Sequence, residues 1–271
     1  MAAVKAHGLM YHDVVGSRRT SSGLAGAGPD RYKLDWGSFV DHLDRIEEEV
    51  GVPPSLLDEA RAGRQESPTW ALTFDDGGAS ALDVGEELRR RGWRGYFFVT
   101  TGLVGRDGFV DEEAIVELDR MGHAVGSHSV THPELMGALP ADALQREWEE
   151  SVATLSELLG RPVRTASVPG GFYRKRVALA AVRAGITTLF NSEPVRTGRW
   201  VDGCLVVGRF RVLRAATAAE AAQAAAGKPG PWLRQYLGWN LRKPLKTLAG
   251  ERYDRVRRAL LARSSQATDA P

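Results

Sequence analysis

Residues Thr69-Trp70-Ala71-Leu72-Thr73-Phe74-Asp75-Asp76-Gly77-Gly78 form an apolar, β-favouring run that stops at two adjacent acids, after which two glycines permit a tight turn. Working outward from this run, further short apolar stretches occupy 8–15, 94–100, 124–129, 165–168, 186–190 and 204–210. Longer stretches of helical period separate them, at 36–50, 80–91, 111–121, 141–159 and 174–184. In the first of these, Phe39, Leu43, Ile46 and Val50 recur three or four apart, the spacing of one buried helix face. Strands alternating with helices predict a parallel sheet covered by helices. Seven or eight such units exceed what an open doubly wound sheet needs, so the expected fold is an α/β, closed or distorted (β/α) barrel.

The chain has 271 residues, 43% of them hydrophobic, enough for one large domain with a full core. We expect a domain over 1–215, a helical, basic extension over 216–263 and a disordered tail over 264–271. A single cysteine, Cys204, excludes an intramolecular disulfide. The net charge of +2 hides an uneven distribution: residues 228–263 carry ten Lys/Arg against Glu251 and Asp254, so everything else is net acidic. That split argues against a nucleic-acid binder and directs any anionic partner to the tail. Within 231–262, Trp232, Leu233, Tyr236, Leu237, Leu241, Leu245 and Leu248 fall at helical spacing among basic residues, and Tyr253, Val256 and Leu260 follow Gly250. Such a stripe either packs on the barrel or lies on an anionic membrane surface. With no apolar run of signal-peptide length at the start, the expected location is cytoplasmic, peripheral to a membrane if that stripe meets one.

Paired carboxylates at a strand end sit ionised together only if a cation neutralises one of them. An isolated Asp-Asp-Gly also serves as a helix cap, so the reading needs a second element. Residues 126–133, Gly-Ser-His-Ser-Val-Thr-His-Pro, supply it: His128 and His132 lie four apart, on one helical turn or in a tight loop, a spacing that lets both rings converge on one ion.

Thr73-Phe74-Asp75-Asp76-Gly77, followed about fifty residues on by His128-Ser129-Val130-Thr131-His132-Pro133, resembles the first two motifs of the polysaccharide deacetylases, carbohydrate esterase family four. The resemblance covers roughly residues 5–212 and implies a distorted (β/α) barrel. It further implies Asp75 as catalytic base, and Asp76, His128 and His132 as ligands of a divalent metal, zinc by default with cobalt, nickel or manganese as alternatives. The implied reaction removes N-acetyl groups from amino sugars of a glycan. Two departures stand out. In Ser167-Val168-Pro169-Gly170-Gly171-Phe172-Tyr173, Ser167 occupies the place of the family's arginine, and Gly170 falls where the family's oxyanion donor lies. Arg209, at the end of the last strand, is the candidate to reach the base instead, unless it is a surface arginine on an edge strand. No histidine follows residue 190, so the family's late acid is missing. Leu9-Met10-Tyr11-His12-Asp13 resembles the circularly permuted poly-N-acetylglucosamine deacetylases, which makes His12 the candidate acid; its bland alternative is a buried strand histidine. Two other readings stay open: a deacylase of a lipid-linked sugar or small amide, and a non-catalytic glycan- or membrane-binding relative.

Overall fold

The computed structural model describes residues 4–16, 21–57, 69–171 and 173–240. The remainder of the expected extension, 241–263, and the expected disordered tail, 264–271, lie outside the described residues, as do 17–20 of the glycine-rich loop and Phe172.

Parallel strands β1 (Ala6–Tyr11), β4 (Thr69–Phe74), β5 (Tyr96–Val99), β6 (Ala124–Ser127), β7 (Thr165–Ser167) and β8 (Thr188–Phe190) pair in chain order. Two short strands, β10 (Cys204–Val207) and β11 (Arg209–Arg211), are halves of one strand interrupted at Gly208. The first half pairs with β8 and the second with β1, so this strand closes the sheet into a seven-stranded barrel. A hairpin strand, β9 (Arg199–Val201), adds antiparallel to β10. The helices wrap the outside: α1 (Trp36–Val50), α2 (Ala81–Arg90), α3 (Glu112–Arg120), α4 (Ala141–Leu159), α5 (Lys175–Arg183), α6 (Ala218–Ala225) and α7 (229–240). Among the described residues no helix is long and apolar enough to cross a membrane.

Local chemistry sets several helix ends. Asp35 caps α1 by accepting from the Ser38 N–H at 2.9 Å, and Gly51 ends that helix in the left-handed conformation (φ 69°). The buried face of α1 is Phe39, His42, Leu43 and Ile46. Residues 218–240 pack on the barrel: Ala221, Ala222, Ala224, Ala225 and Trp232 belong to the same apolar cluster as Leu9, Phe39 and Phe210. His7 and His42 are structural, their Nε2 atoms bonded to the carbonyls of Ala225 and Ala216.

The expected first strand over 8–15 is shorter than the pattern suggests. It ends at Tyr11, and Val14–Val15 (β2) pairs instead with Leu34–Asp35 (β3). The break arises because Asp13 is buried among polar partners that a continuous strand could not give it. Its Oδ1 accepts from Ser22 Oγ (2.6 Å) and Ser80 Oγ (3.2 Å). Strand periodicity decides what the barrel encloses. Ala6, Ala71, Tyr96, Phe98, Phe190, Leu205 and Val207 form its inner core, whereas alternate residues such as Leu9, Leu72, Phe97 and Phe210 face the helices. Continued to the C-terminal ends of the strands, the inward positions are His12, Asp75, His128, Ser167, Arg209 and Arg211.

Candidate active site

These inward side chains meet at the C-terminal mouth of the barrel in a cavity of roughly 510 Å³, within the range of ligand-binding pockets. His12, Asp75, Asp76, His128, His132, Gly170, Gly171 and Arg211 all line it. The described part of the glycine-rich loop, Leu24 to Pro29 with Tyr32, forms another wall, and Trp239 of α7 a further one.

Asp75 directly follows β4, points inward and is almost wholly buried. Arg209 grips it with both arms, Nη1 to Oδ1 at 2.7 Å and Nη2 to Oδ2 at 2.8 Å, while Ser167 Oγ donates to Oδ2 at 3.2 Å. The same guanidinium donates to Thr73 Oγ1, Ser167 Oγ and the Asn191 carbonyl, so a fully buried arginine is satisfied on every side. Gly8 makes its path possible: a Cβ there would stand 3.1 Å from Arg209 Cγ. Burial pushes the Asp75 carboxyl up, but the Arg209 guanidinium beside it, with its hydrogen bonds, outweighs that and holds the group below the usual carboxylate range.

Asp76 follows in the left-handed region (φ 77°), as do Ser129 (φ 66°) and His132 (φ 55°). Non-glycine residues adopt this conformation at a cost of roughly 1–3 kcal/mol, and three of them converge on one place. The two histidines come from a loop rather than a helix, and each Nε2 lies 3.3 Å from Asp76 Oδ1. One ligand atom from each of the three residues lies within 4.8 Å of the others.

The donor set fits a divalent cation. Because the Ser167 carbonyl can only accept, His128 Nδ1 at 3.0 Å must carry the proton, leaving Nε2 able to turn its lone pair toward Asp76. Asp76 Oδ1 is buried and makes no well-formed hydrogen bond. A carboxylate oxygen facing two imidazole nitrogens without a good hydrogen bond is the arrangement a metal ion would satisfy, and one carboxylate plus two imidazoles suits zinc among other transition ions. Burial pushes Asp76 up, yet its contacts with His128 and His132 hold it well below the usual range. Burial lowers His132, but Asp76 outweighs that and raises it.

His12 is half-buried in the cavity with its ring 4.3 Å from that of Tyr32, and its buried Nδ1 has no partner among the described residues. Burial lowers its pKa against the pull of Asp76 and Asp75. Gly170 sits on the opposite wall in the left-handed conformation (φ 62°), where a Cβ would collide with the Glu134 carbonyl at 2.5 Å. Its N–H donates to no described residue. The structure thus brings six of the seven candidate residues to the lining of one cavity, and places the seventh, Arg209, fully buried behind it on Asp75. Sequence reading passed over Asp13, Tyr32, Arg211 and Trp239; the inward phase of Arg211, two residues after Arg209, is the one signal that could have found it.

Comparison with known proteins defines the class. Residues 62–189 match the sequence model of the polysaccharide deacetylase family. That segment, a little under half of the chain, is thus similar to a polysaccharide deacetylase domain. Among curated proteins it is 27% identical over 142 residues to the putative polysaccharide deacetylase YxkH of Bacillus subtilis (strain 168), over 52% of this chain and 50% of that protein. The chain thus spans about half the length of that relative. The structure of IcaB from Ammonifex degensii superposes with a TM-score of 0.66 at 27% identity, covering 82% of this chain and 98% of that one. The Streptococcus pyogenes deacetylase PplD, solved in complex with acetate, gives a TM-score of 0.68 at 20% identity, covering 83% and 99% respectively, and supports the fold.

Proposed function

We propose that this chain hydrolyses the N-acetyl amide of an amino sugar in a glycan or glycan precursor and releases acetate. The observation that carries the reading is the juxtaposition, in one barrel mouth, of an arginine-clamped Asp75 with the Asp76, His128 and His132 cluster. The family match to residues 62–189 supports it. A divalent cation held by those three residues, zinc by preference, would supply Lewis acidity and make water acidic enough to ionise near neutral pH.

The protein's own groups account for the remaining steps. Asp75, kept ionised and fixed in orientation by Arg209 and Ser167, accepts the proton of the water that attacks the acetyl carbon. As the carbonyl oxygen gains charge, the Gly170 N–H donates to it, a contribution typically worth about 3 kcal/mol of barrier. The C–N bond then breaks and its nitrogen must leave protonated. His12, whose pKa burial lowers so that it releases a proton readily, relays to that nitrogen the proton Asp75 took from the water. Acetate and the free amino sugar are the products.

The test is Asp75→Asn with N-acetylglucosamine oligomers as substrate. Acetate release is expected to fall by about 10² to 10⁴, the usual weight of a general base, with metal content retained and the variant still folded, though less stable because Arg209 loses its counter-charge. In the unaltered protein, chelation should abolish acetate release and added zinc restore it. Activity at the original level in the variant, or in chelated protein, would remove the proposal.

A further inference from the structure

Arg209 and Arg211 leave the same strand on the same side, two residues and therefore roughly 6.6 Å apart. Their circumstances are opposite. Every direction of the Arg209 guanidinium is taken by Asp75, Ser167, Thr73 or the Asn191 carbonyl. Arg211 lines the same cavity, yet no carboxylate among the described residues pairs with it, and its Nε is buried without an acceptor.

This arginine is held in place rather than loose. Gln235 of α7 reads both of its backbone groups, accepting from the Arg211 N–H at 3.1 Å and donating to its carbonyl. One turn further along α7, on the same face, Trp239 lies under the guanidinium with 5.3 Å from Cζ to the ring centroid. A helix that immobilises the main chain and supports the flat face of the guanidinium leaves its edge donors to be satisfied from the cavity. A half-buried cation without a counter-charge is costly, and it is retained where a ligand brings the missing anion. Glu134, the other charged residue of the rim, is exposed and makes no ion pair with it.

We propose that Arg211, supported by Trp239, binds an anionic oxygen group of the substrate, a carboxylate or a phosphate, about one sugar ring from the acetamido group being cleaved. The proposal rests on the deacetylase reading for what occupies the rest of the cavity. It assigns the substrate to charged glycans, such as uronate-containing chains or sugar phosphates, over neutral ones. The planar guanidinium suits both anions through paired hydrogen bonds.

Calorimetric binding to the full chain tests this without requiring turnover. The probes are an N-acetylglucosamine tetramer, a tetrasaccharide alternating N-acetylglucosamine with glucuronate, and N-acetylglucosamine 1-phosphate against free N-acetylglucosamine. In the unaltered protein at least one charged probe should bind about tenfold or more tightly than its neutral counterpart, as a charge-assisted bond provides. Arg211→Gln should collapse that ratio to near one, and Arg211→Lys should keep a few-fold, since it retains charge but loses the fork. Which charged probe gains identifies carboxylate or phosphate as the group bound. No preference for either anion, or a preference that survives Arg211→Gln, overturns the proposal; should Arg211→Gln fail to fold, a full preference in Arg211→Lys would count against the fork in the same way. Acetate release measured on the same probes keeps the two readings apart. Anion-selective binding without hydrolysis would sink the deacetylase function and leave the anion site standing.

Discussion

At the scale of the single residue, the decisive contact is the one between Asp75 and Arg209. Both side chains are withdrawn from water, and their charges meet through two parallel hydrogen bonds of 2.7 and 2.8 Å. Removing one member of a buried, hydrogen-bonded ion pair typically costs about 3–5 kcal/mol, mostly because the other charge is stranded. Arg209→Met, which keeps an apolar stem beside Gly8, should therefore destabilise the protein by about that amount in urea unfolding. The double variant Asp75→Asn/Arg209→Met should be less destabilised than the two single effects added together, by on the order of 2 kcal/mol. Strict additivity would mean the pair is not coupled as drawn. The same contact explains how a serine stands at position 167 where the resemblance leads one to expect an arginine. The guanidinium arrives instead from β11, two strands from β4 on the other side, and Ser167 donates one bond to Asp75 while accepting one from Arg209.

At the scale of the element, the break between β1 and β2 links the first strand to the Asp-Asp-Gly-Gly turn. The Asp13 carboxylate lies so close over Gly78 that a Cβ there would stand 1.9 Å from its Oδ1. The Ser22 and Ser80 hydroxyls that donate to Asp13 themselves accept from the Ser80 and Val14 N–H groups. Burial, partly offset by the Ser22 bond, pushes the Asp13 carboxyl up to about 6 from 3.8. A carboxyl whose folded pKa lies above its unfolded one stabilises the fold below the unfolded value and loses that contribution as pH rises through the folded one. Asp13→Asn keeps an acceptor for both hydroxyls but cannot ionise. Measured against that variant, the unaltered protein should therefore lose stability between about pH 4 and pH 6, by at most about 3 kcal/mol, and stay level above. A stability difference constant from pH 4 to 7.5 would show that folding does not raise the Asp13 pKa. The sequence displayed the strands and helices almost to the residue, because apolar alternation and helical spacing are local. It also displayed the metal-type cluster, because His128 and His132 share one short loop. The break after Tyr11 was hidden, since it depends on Ser22 and Ser80, partners that only the closed barrel brings to Asp13. Arg211 and Trp239 were hidden for the same reason, being 28 residues apart and joined only when α7 folds back on the last strand.

At the scale of the whole molecule, the question is whether residues 218–240 are an appendage or part of the barrel. Trp232 argues for the second. It is 3% exposed, donates from Nε1 to the Ala224 carbonyl at 3.0 Å, and meets the edge of His7 and the ring of Phe210 at 5.1 and 5.6 Å between centroids. Since His7 lies on β1 and Phe210 on β11, Trp232 covers the seam at which the barrel closes. The helix it begins to anchor then carries Gln235 and Trp239 to the cavity rim, so closure of the fold and the shape of the site depend on one another. Leu233, Tyr236 and Leu237, on the opposite face of that helix, are exposed. Trp232→Ala leaves a void between β1, β11 and α6, and truncating a buried tryptophan typically costs about 3–5 kcal/mol. We expect the variant to lose that much stability and still unfold in a single transition in denaturant, because the seam and the rest of the barrel share one apolar cluster. A loss below about 1 kcal/mol, or a separate early transition confined to the C-terminal helices, would instead make 218–240 an independent unit laid against a barrel that closes without it.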